Sequence, residues 1–332
     1  MVLRLTRRAN NLLEDKILNY LKKHEEGYVS GEELSCELGV SRTAVWKHIE
    51  NLREEGYDIE AFPHLGYKVI SIPDRLTEVE LKWQLKTDII ARKIYSYKET
   101  ASTNDTAYNL AIHGEKEGSV VIAESQTAGR GRMGRKWASP KSKGAYFSII
   151  LRPDILPKDV SSITLFSALS VAKTIREMTC LPAFIKWPND VLVNNQKICG
   201  ILTEMNAETD KINFVIIGIG ININTRKDLL PKGATSILEE HGGAEISRVD
   251  VARNIFKNLD KYYKLFKGGF IGEIIKEYKE FSNFLGTRVQ VAHHDTKIEG
   301  YAIDVDKDGA LILRMDSGLN KRVLAGDVLM LR

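Results

Sequence analysis

The chain has 332 residues, 43% hydrophobic and 28% charged, with a formal net charge of +4. This is an ordinary composition for a soluble globular protein, and the chain is long enough to bury a sizeable core without a disulfide or metal staple. Cys36, Cys180 and Cys199 form no CxxC pair, residues 1–10 contain no apolar signal core, and no run approaches the ~18 consecutive apolar residues of a membrane helix. No membrane partner and no protein-ligated metal are expected. A reducing cytoplasm is the expected location, and the length implies two or three domains.

Residues 12–26 carry Leu12, Leu13, Ile17, Leu18 and Leu21 at helical spacing, and Gly27 ends the run. Ser30 reads as an N-cap, with Glu33 completing a capping box. A short helix follows with Leu34 and Leu38 inward. After Gly39, Ser41 caps a longer helix, residues 42–55, whose apolar face is Val45, Ile49 and Leu52. Strand-like runs at 57–62 and 67–70 flank a turn at 63–66. Together these elements predict a winged helix-turn-helix over residues 1–72.

The third helix of that head would present Ser41, Arg42, Thr43, Trp46 and Lys47 to a major groove, with His64, Tyr67 and Lys68 at or near the wing. Residues 1–75 hold eleven Lys/Arg and thirteen Asp/Glu. The electrostatic contribution per head is therefore small, which points to DNA binding as a dimer. A protein-interaction role for the head is the competing reading, and Trp46 alone is equally consistent with packing.

Residues 71–77 read as a linker. Beyond it, strand-like runs at 120–124, 145–151, 197–204 and 214–222 and a helical pattern at 160–178 predict a mixed α/β central domain over 73–284. Residues 224–243 are polar and broken by Gly and Pro, the mark of a loop that is mobile in part. Helical patterns return at 249–266 and 270–284. Runs at 289–292, 298–305, 310–315 and 323–331, with a turn at 306–309, predict a small β-barrel over 285–332, packed on the central domain. The fold class is α+β.

The segment from Gln126 to Trp137 interleaves Gly129, Gly131 and Gly134 with Arg130, Arg132 and Arg135. Glycine permits tight bends and exposed backbone N–H groups, and arginine supplies a planar fork for carboxylate or phosphate. Such a loop suits a reaction that brings two anions together. A disordered Arg-Gly nucleic-acid segment is the bland alternative, and Trp137 could be a core aromatic. In Lys186-Trp-Pro-Asn-Asp190, Pro188 predicts a turn that displays Asn189 and Asp190, with Asp190 able to orient or deprotonate an incoming amine. Lys197 starts a strand beside Gly200, as a substrate-bridging charge or as a solvated edge lysine. Cys199 reads as a buried small residue rather than a nucleophile. Gly218 and Gly220 could let a flat ring lie against their strand, or mark a bulge. They do not form a dinucleotide fingerprint.

Taken in order, Thr100-Ala-Ser-Thr-Asn104, GRGRMGRKW, KWPND, KICGILTE, IGIGINI and Leu324-Ala-Gly-Asp-Val328 resemble biotin–protein ligases, and the head resembles that of bifunctional ligase/repressors. The resemblance implies a class II synthetase-like, biotin–lipoate ligase fold with an SH3-like C-terminal barrel. It implies a biotin–[acetyl-CoA-carboxylase] ligase that makes biotinyl-5′-AMP from biotin, ATP and Mg2+. The biotin would pass to a lysine of a biotin carboxyl carrier protein, and the adenylate-bound homodimer would repress at operator DNA. By the same resemblance Ser102, Thr103 and Gln126 bond the ureido ring. Gly129, Arg130, Arg132 and Trp137 close over biotin, and Gly200, Gly218 and Gly220 line its ring pocket. Arg130 and Arg132 hold the carboxylate or adenylate. Arg132, Arg135, Lys197 and Asn222 face the ATP phosphates, Mg2+ being carried on those phosphates, and Lys197 bridges phosphate and biotin carboxylate. Asp190 orients the acceptor lysine. Arg130, Arg132, Lys197 and Asp190 form the catalytic set. Residues 225–234 correspond to a nucleotide-covering loop but contain no tryptophan, so the partner that stacks on adenine is unassigned. A ligand-sensing repressor without ligase activity, a ligase whose head does not read DNA, and a lipoate-type ligase are the alternatives.

Overall fold

The computed structural model describes residues 2–293 and 296–331, in two compact units, Met1–Arg75 and Leu76–Arg332. The first unit contains α1 (Val2–Lys23), α2 (Gly31–Leu38), α3 (Arg42–Glu54), β1 (Asp58–Phe62) and β2 (Gly66–Ser71). Ile17, Leu18 and Leu21 of α1 join Leu34, Val45, Ile49 and Leu52 in a core with almost no exposure. Ser30 Oγ accepts from Glu33 N at 3.0 Å and Ser41 Oγ from Ala44 N at 3.2 Å, so both hydroxyls cap a helix as expected. The Glu33 carboxylate accepts from the Tyr20 hydroxyl at 2.9 Å.

The wing is an antiparallel hairpin, tied to the entry of α2 by a Val29–Tyr67 bridge. At Gly66 φ is +117°, and a Cβ would fall 2.0 Å from the Val29 carbonyl oxygen, so only glycine closes the hairpin there. Part of the expected linker packs on the head. Pro73 lies against Gly56, and Arg75 Nη1 reaches Glu55 at 2.8 Å.

The second unit contains α4 (Glu78–Lys82), β3 (Ile94–Tyr97), α5 (Thr103–Ile112), β4 (Val120–Ala123), β5 (Gly144–Leu151), α6 (Ser161–Thr179), β6 (Ala183–Lys186), β7 (Asp190–Val193), β8 (Gln196–Ala207) and β9 (Ile212–Asn222). After these come α7 (Ile237–Glu240), α8 (Arg248–Lys267), α9 (Ile271–Glu280), β10 (Arg288–His293), β11 (Thr296–Val305), β12 (Leu311–Arg314), β13 (Asn320–Val323) and β14 (Asp327–Met330). A mixed sheet runs β3-β4-β5-β9-β8-β7-β6, parallel at β3–β4 and antiparallel elsewhere. Alternate residues of its strands face opposite ways. Val120, Ile122, Phe147 and Ile149 join α6 and α8 in the main core, while Val121, Ile150 and Ile216 meet Ala107 and Ala111 of α5. The site forms where α5 leaves the second face of β5, β9 and β8 uncovered.

The C-terminal sheet runs β13-β12-β11-β10-β14, antiparallel throughout. Where a barrel was expected, the established feature is this five-stranded sheet. Val289, Val291, Leu311, Leu313 and Val328 share one core with α6 and the large sheet, so the tail is packed on its neighbour as its length required. The run expected as one strand at 323–331 is two. Gly326 has φ +152°, outside the conformations an L-residue extends through, and the chain turns there to place Asp327. The helix expected to reach 284 ends at Glu280. Among the described residues no helix is long and apolar enough to cross a membrane.

Candidate active site

The floor of the site is built on paired glycines. In the β8–β9 register Gly200 faces Gly220, and Leu202 faces Gly218. A Cβ at Gly220 would lie 2.5 Å from Cε2 and Nε1 of Trp137, and one at Gly200 would lie 3.0 Å from the same ring. The flat ring that these glycines admit is therefore the indole of the chain's own Trp137. Its Nε1 is buried without a hydrogen-bond partner, and Lys197 Nζ lies 5.5 Å from a ring centroid. Gly218 serves a different neighbour, since a Cβ there would sit 2.1 Å from Asn104 Oδ1. The pairing is regular through both glycines of β9, so neither marks a bulge.

Residues 129–137 form a folded-back flap over this floor. Trp137 N donates to the Gly129 carbonyl at 2.9 Å and Gly131 N to the Arg135 carbonyl at 2.6 Å. A disordered Arg-Gly tract is excluded by this pairing. Each flap arginine is seated on an acceptor of the same unit. Arg130 pairs with Asp105 and lies 3.6 Å from Glu204. Arg132 donates to Asn189 Oδ1 at 2.8 Å and lies 3.5 Å from Asp327. Arg135 donates to Asp327 at 2.7 Å. Burial alone would raise the Asp327 carboxyl, but Arg135 and then Arg132 outweigh it and hold the group below the usual carboxylate range.

The turn after β6 contains a cis Trp187–Pro188 peptide. Trp187 is buried and donates through Nε1 to the Gly309 carbonyl at 3.0 Å, pinning the C-terminal sheet to the central one. The display expected for Asn189 is corrected. Asn189 is buried, donates to the Ile201 carbonyl at 2.9 Å and offers its own oxygen to Arg132, because two satisfied amide atoms outweigh exposure. Asp190 opens β7 and pairs with Lys197 Nζ at 2.6 Å, so two residues assigned separate tasks form one ion pair. Burial pushes the Cys199 thiol far up, which removes it as a nucleophile.

On the opposite wall, Ser102 caps α5 through Asp105 N at 3.4 Å. Thr103 N donates to Gln126 Oε1 at 2.8 Å, and Gln126 Nε2 donates to Ser139 at 2.9 Å. Asn222 Nδ2 donates to the Thr235 carbonyl at 2.9 Å. Lys197 N donates to the Gly233 carbonyl and Thr235 N to the Lys197 carbonyl, each at 2.9 Å. Part of the 225–234 segment is thus laid along β8 beside the lysine.

These walls enclose a cavity of about 220 Å3. It brings together Ser102, Thr103, Gln126, Arg130, Arg132, Arg135, Trp137, Asp190, Lys197, Gly200, Gly218, Gly220 and Asn222. Gly129 stands behind the wall, where a Cβ would meet the Trp137 carbonyl oxygen at 2.8 Å. Asn104, Lys136, Asn189, Gly233 and Asp327 also line the cavity and carried no assigned role. Three of them sat in plain view: Asn104 in the Ser-Thr-Asn run, Asn189 in KWPND and Asp327 after Gly326.

The sequence model of the Biotin/lipoate A/B protein ligase family matches residues 97–222, that of the HTH domain residues 14–68, and that of the Biotin protein ligase C terminal domain residues 284–331. The chain is 38% identical over 304 residues to the bifunctional ligase/repressor BirA of Bacillus subtilis (strain 168), covering 91% of this chain and 93% of that protein. The chain belongs to the bifunctional biotin ligase/repressor family. It is also 31% identical to the BirA of Escherichia coli (strain K12), covering 96% and 97% of the two chains. The biotin protein ligase from Aquifex aeolicus in complex with biotin and ATP superimposes with a TM-score of 0.60 at 30% identity, over 73% of this chain and 99% of that one.

In this family member the head carries its candidate DNA contacts on the outside. Ser41, Arg42, Thr43 and Lys47 are exposed, and Lys68 on β2 is half-buried. Trp46 is 56% exposed, so packing within the head does not account for it. Ser41 differs from the others because its hydroxyl also caps α3.

Proposed function

We propose that the chain activates biotin with ATP to biotinyl-5′-adenylate and pyrophosphate, then transfers biotin to one lysine of a biotin carboxyl carrier domain, releasing AMP. The observation that carries this reading is the convergence of Arg130, Arg132, Arg135 and Lys197 on one cavity with a glycine-paved floor. A carboxylate and a polyphosphate repel each other, and cations preorganised around both lower the barrier to their meeting. In this scheme the flap arginines exchange Asp105, Asn189 and Asp327 for substrate oxygens. Lys197 leaves Asp190 for the carboxylate and α-phosphate, which frees Asp190 to orient the incoming amine. Thr103 and Gln126 face the polar ring, Trp137 covers the valeryl chain, and Asn222 faces the phosphates.

Magnesium supplies neutralising charge on the phosphates when it is bound. Among the described residues no group of three His, Cys, Asp or Glu is placed to hold a metal ion, and Asp190 and Asp327 face cations. In this reading the metal arrives with ATP, on its phosphates.

The reading extends to regulation. Adenylate retained in the absence of acceptor favours a homodimer whose two heads bind operator DNA through Arg42, Thr43, Trp46, Lys47 and Lys68, in the cytoplasm. For this the adenylate must bind the dimer-competent state more tightly than the other. Purified chain given labelled biotin and ATP is expected to release pyrophosphate. Lys197→Ala and Arg132→Ala are each expected to lose adenylate formation by at least about a hundredfold. Full activity in both variants overturns the site assignment, and preference for lipoate over biotin overturns the substrate.

A further inference from the structure

Beneath the cavity runs a chain of polar groups, buried at Thr103, Asn104 and Ser148 and half-buried toward its two ends at Glu204 and Ser139. Glu204 Oε2 accepts from Asn104 Nδ2 at 2.6 Å, and the same amide nitrogen lies 3.5 Å from the Leu202 carbonyl. Asn104 Oδ1 lies 2.6 Å from Ser148 Oγ, and Ser148 Oγ lies 2.8 Å from Thr103 Oγ1. Thr103 continues to Gln126, and Gln126 to Ser139. Ser148 sits on β5 opposite Gly218 with no exposure and falls outside every sequence motif described above.

A hydroxyl carries one hydrogen. Asn104 directs its amide nitrogen to Glu204 and Leu202, so its Oδ1 faces Ser148 and can only accept. At 2.6 Å the Ser148 hydrogen must lie on that line, because two lone pairs facing each other at this distance repel. Across the 2.8 Å contact it is then Thr103 that donates to Ser148. The Thr103 hydrogen is thereby turned into the wall, and its remaining lone pair is the part offered to the cavity.

We infer that Ser148 is a positioning residue that fixes the polarity of Thr103, so that this hydroxyl meets a bound ligand as an acceptor and selects a ring N–H. The inference rests on the reading of the site as a pocket for a ureido ring. Gly218 belongs to the same device, since a Cβ there would displace the Asn104 oxygen that orients Ser148. Removal of the Ser148 hydroxyl returns the Thr103 hydrogen to Gln126 Oε1, 3.1 Å away, or lets it point into the cavity. The hydrogen then exchanges between these two settings, and only the first keeps Thr103 an acceptor toward the cavity.

The test uses the full-length chain and three ligands: biotin, and two analogues in which one or the other ureido N–H is replaced by oxygen. Affinities come from titration calorimetry, and KM and kcat from pyrophosphate release. The unmodified chain is expected to prefer biotin over both analogues. In Ser148→Ala the preference over one analogue is expected to shrink by about tenfold, with KM for biotin raised and kcat within about twofold. Ser148→Cys, which keeps the packing with a weaker donor, is expected to fall between the two and serves if the alanine variant does not fold. Equal losses for all three ligands, or no change in preference, overturn the inference while leaving the ligase reading intact. Failure of the unmodified chain to bind biotin overturns the reading itself and the inference with it.

Discussion

Gly220→Ala tests a glycine whose missing side chain makes room for the Trp137 ring. The new Cβ would stand 2.5 Å from the Trp137 indole, about 0.9 Å inside ordinary contact. β9 is held by β5 on one side and β8 on the other, through Tyr146 and Gly200 at this position, so the strand cannot retreat. The indole moves instead, and with it the flap that Trp137 N ties to the Gly129 carbonyl. Overpacking of this size costs about 1–3 kcal/mol. Because the yielding element is a flap, most of that cost falls on flap closure rather than on global stability, and kcat/KM for adenylate formation is expected to drop roughly ten- to hundredfold. The melting temperature is expected to change little, and tryptophan fluorescence to shift as the indole leaves its shelf.

Gly218→Ala provides the contrast. Its Cβ would strike Asn104 Oδ1 at 2.1 Å, and that amide is locked by Glu204 and Ser148, so the expected loss is in melting temperature as well as activity. An unperturbed fluorescence spectrum together with unchanged kinetics in Gly220→Ala refutes the account of the floor.

The remaining predictions concern stability and DNA. Arg248, almost fully buried, pairs with Glu124 Oε2 at 2.6 Å, while Glu124 Oε1 accepts from Leu76 N. Arg248→Met is expected to cost about 3–5 kcal/mol in urea unfolding, and Glu124→Leu added to it should recover only part, because Leu76 N loses its acceptor. Burial would raise the Glu115 carboxyl, but hydrogen bonds from Tyr95, Lys93, Lys116 N and Ser119 outweigh it and hold the group at about 2. A carboxyl lowered on folding contributes stability that is present above its unfolded value and lost as pH falls toward the folded one. The deficit of Glu115→Gln in thermal melts should therefore be full at pH 7 and shrink between about pH 4.5 and 2; a deficit that is flat with pH counts against this. Arg42→Ala and Lys47→Ala should each reduce the salt dependence of operator binding by about one released counterion in gel shifts, whereas Ser41→Ala should also cost about 1 kcal/mol of head stability through the lost cap. A salt slope unchanged in both basic variants removes α3 from the interface.

Several features were legible in the sequence because their causes are local. Ser30 and Ser41 cap helices wherever a hydroxyl precedes a turn of free N–H groups, and the spacing of Val45, Ile49 and Leu52 fixes which side of α3 is inward. The Gly-Arg alternation of 129–135 announced a bent cationic loop. The small strands β6 and β7 and the helix α5 were not among the expected elements.

Which residues meet depended on distance in three dimensions, and no spacing encodes that. Asp190 and Lys197 pair because β7 and β8 fold into a hairpin. Asp327 meets Arg132 and Arg135 because Gly326 breaks a run that alternation alone reads as one strand. Asn189 is buried because Ile201 and Arg132 take up its amide. Ser148, one polar residue in an apolar strand, gains a role only from having Thr103 and Asn104 above it. The sequence thus specified the chemical groups and the local bends that carry them. Long-range strand pairing decided their partners, because an ion pair or hydrogen bond forms only between atoms brought within about 3 Å of each other.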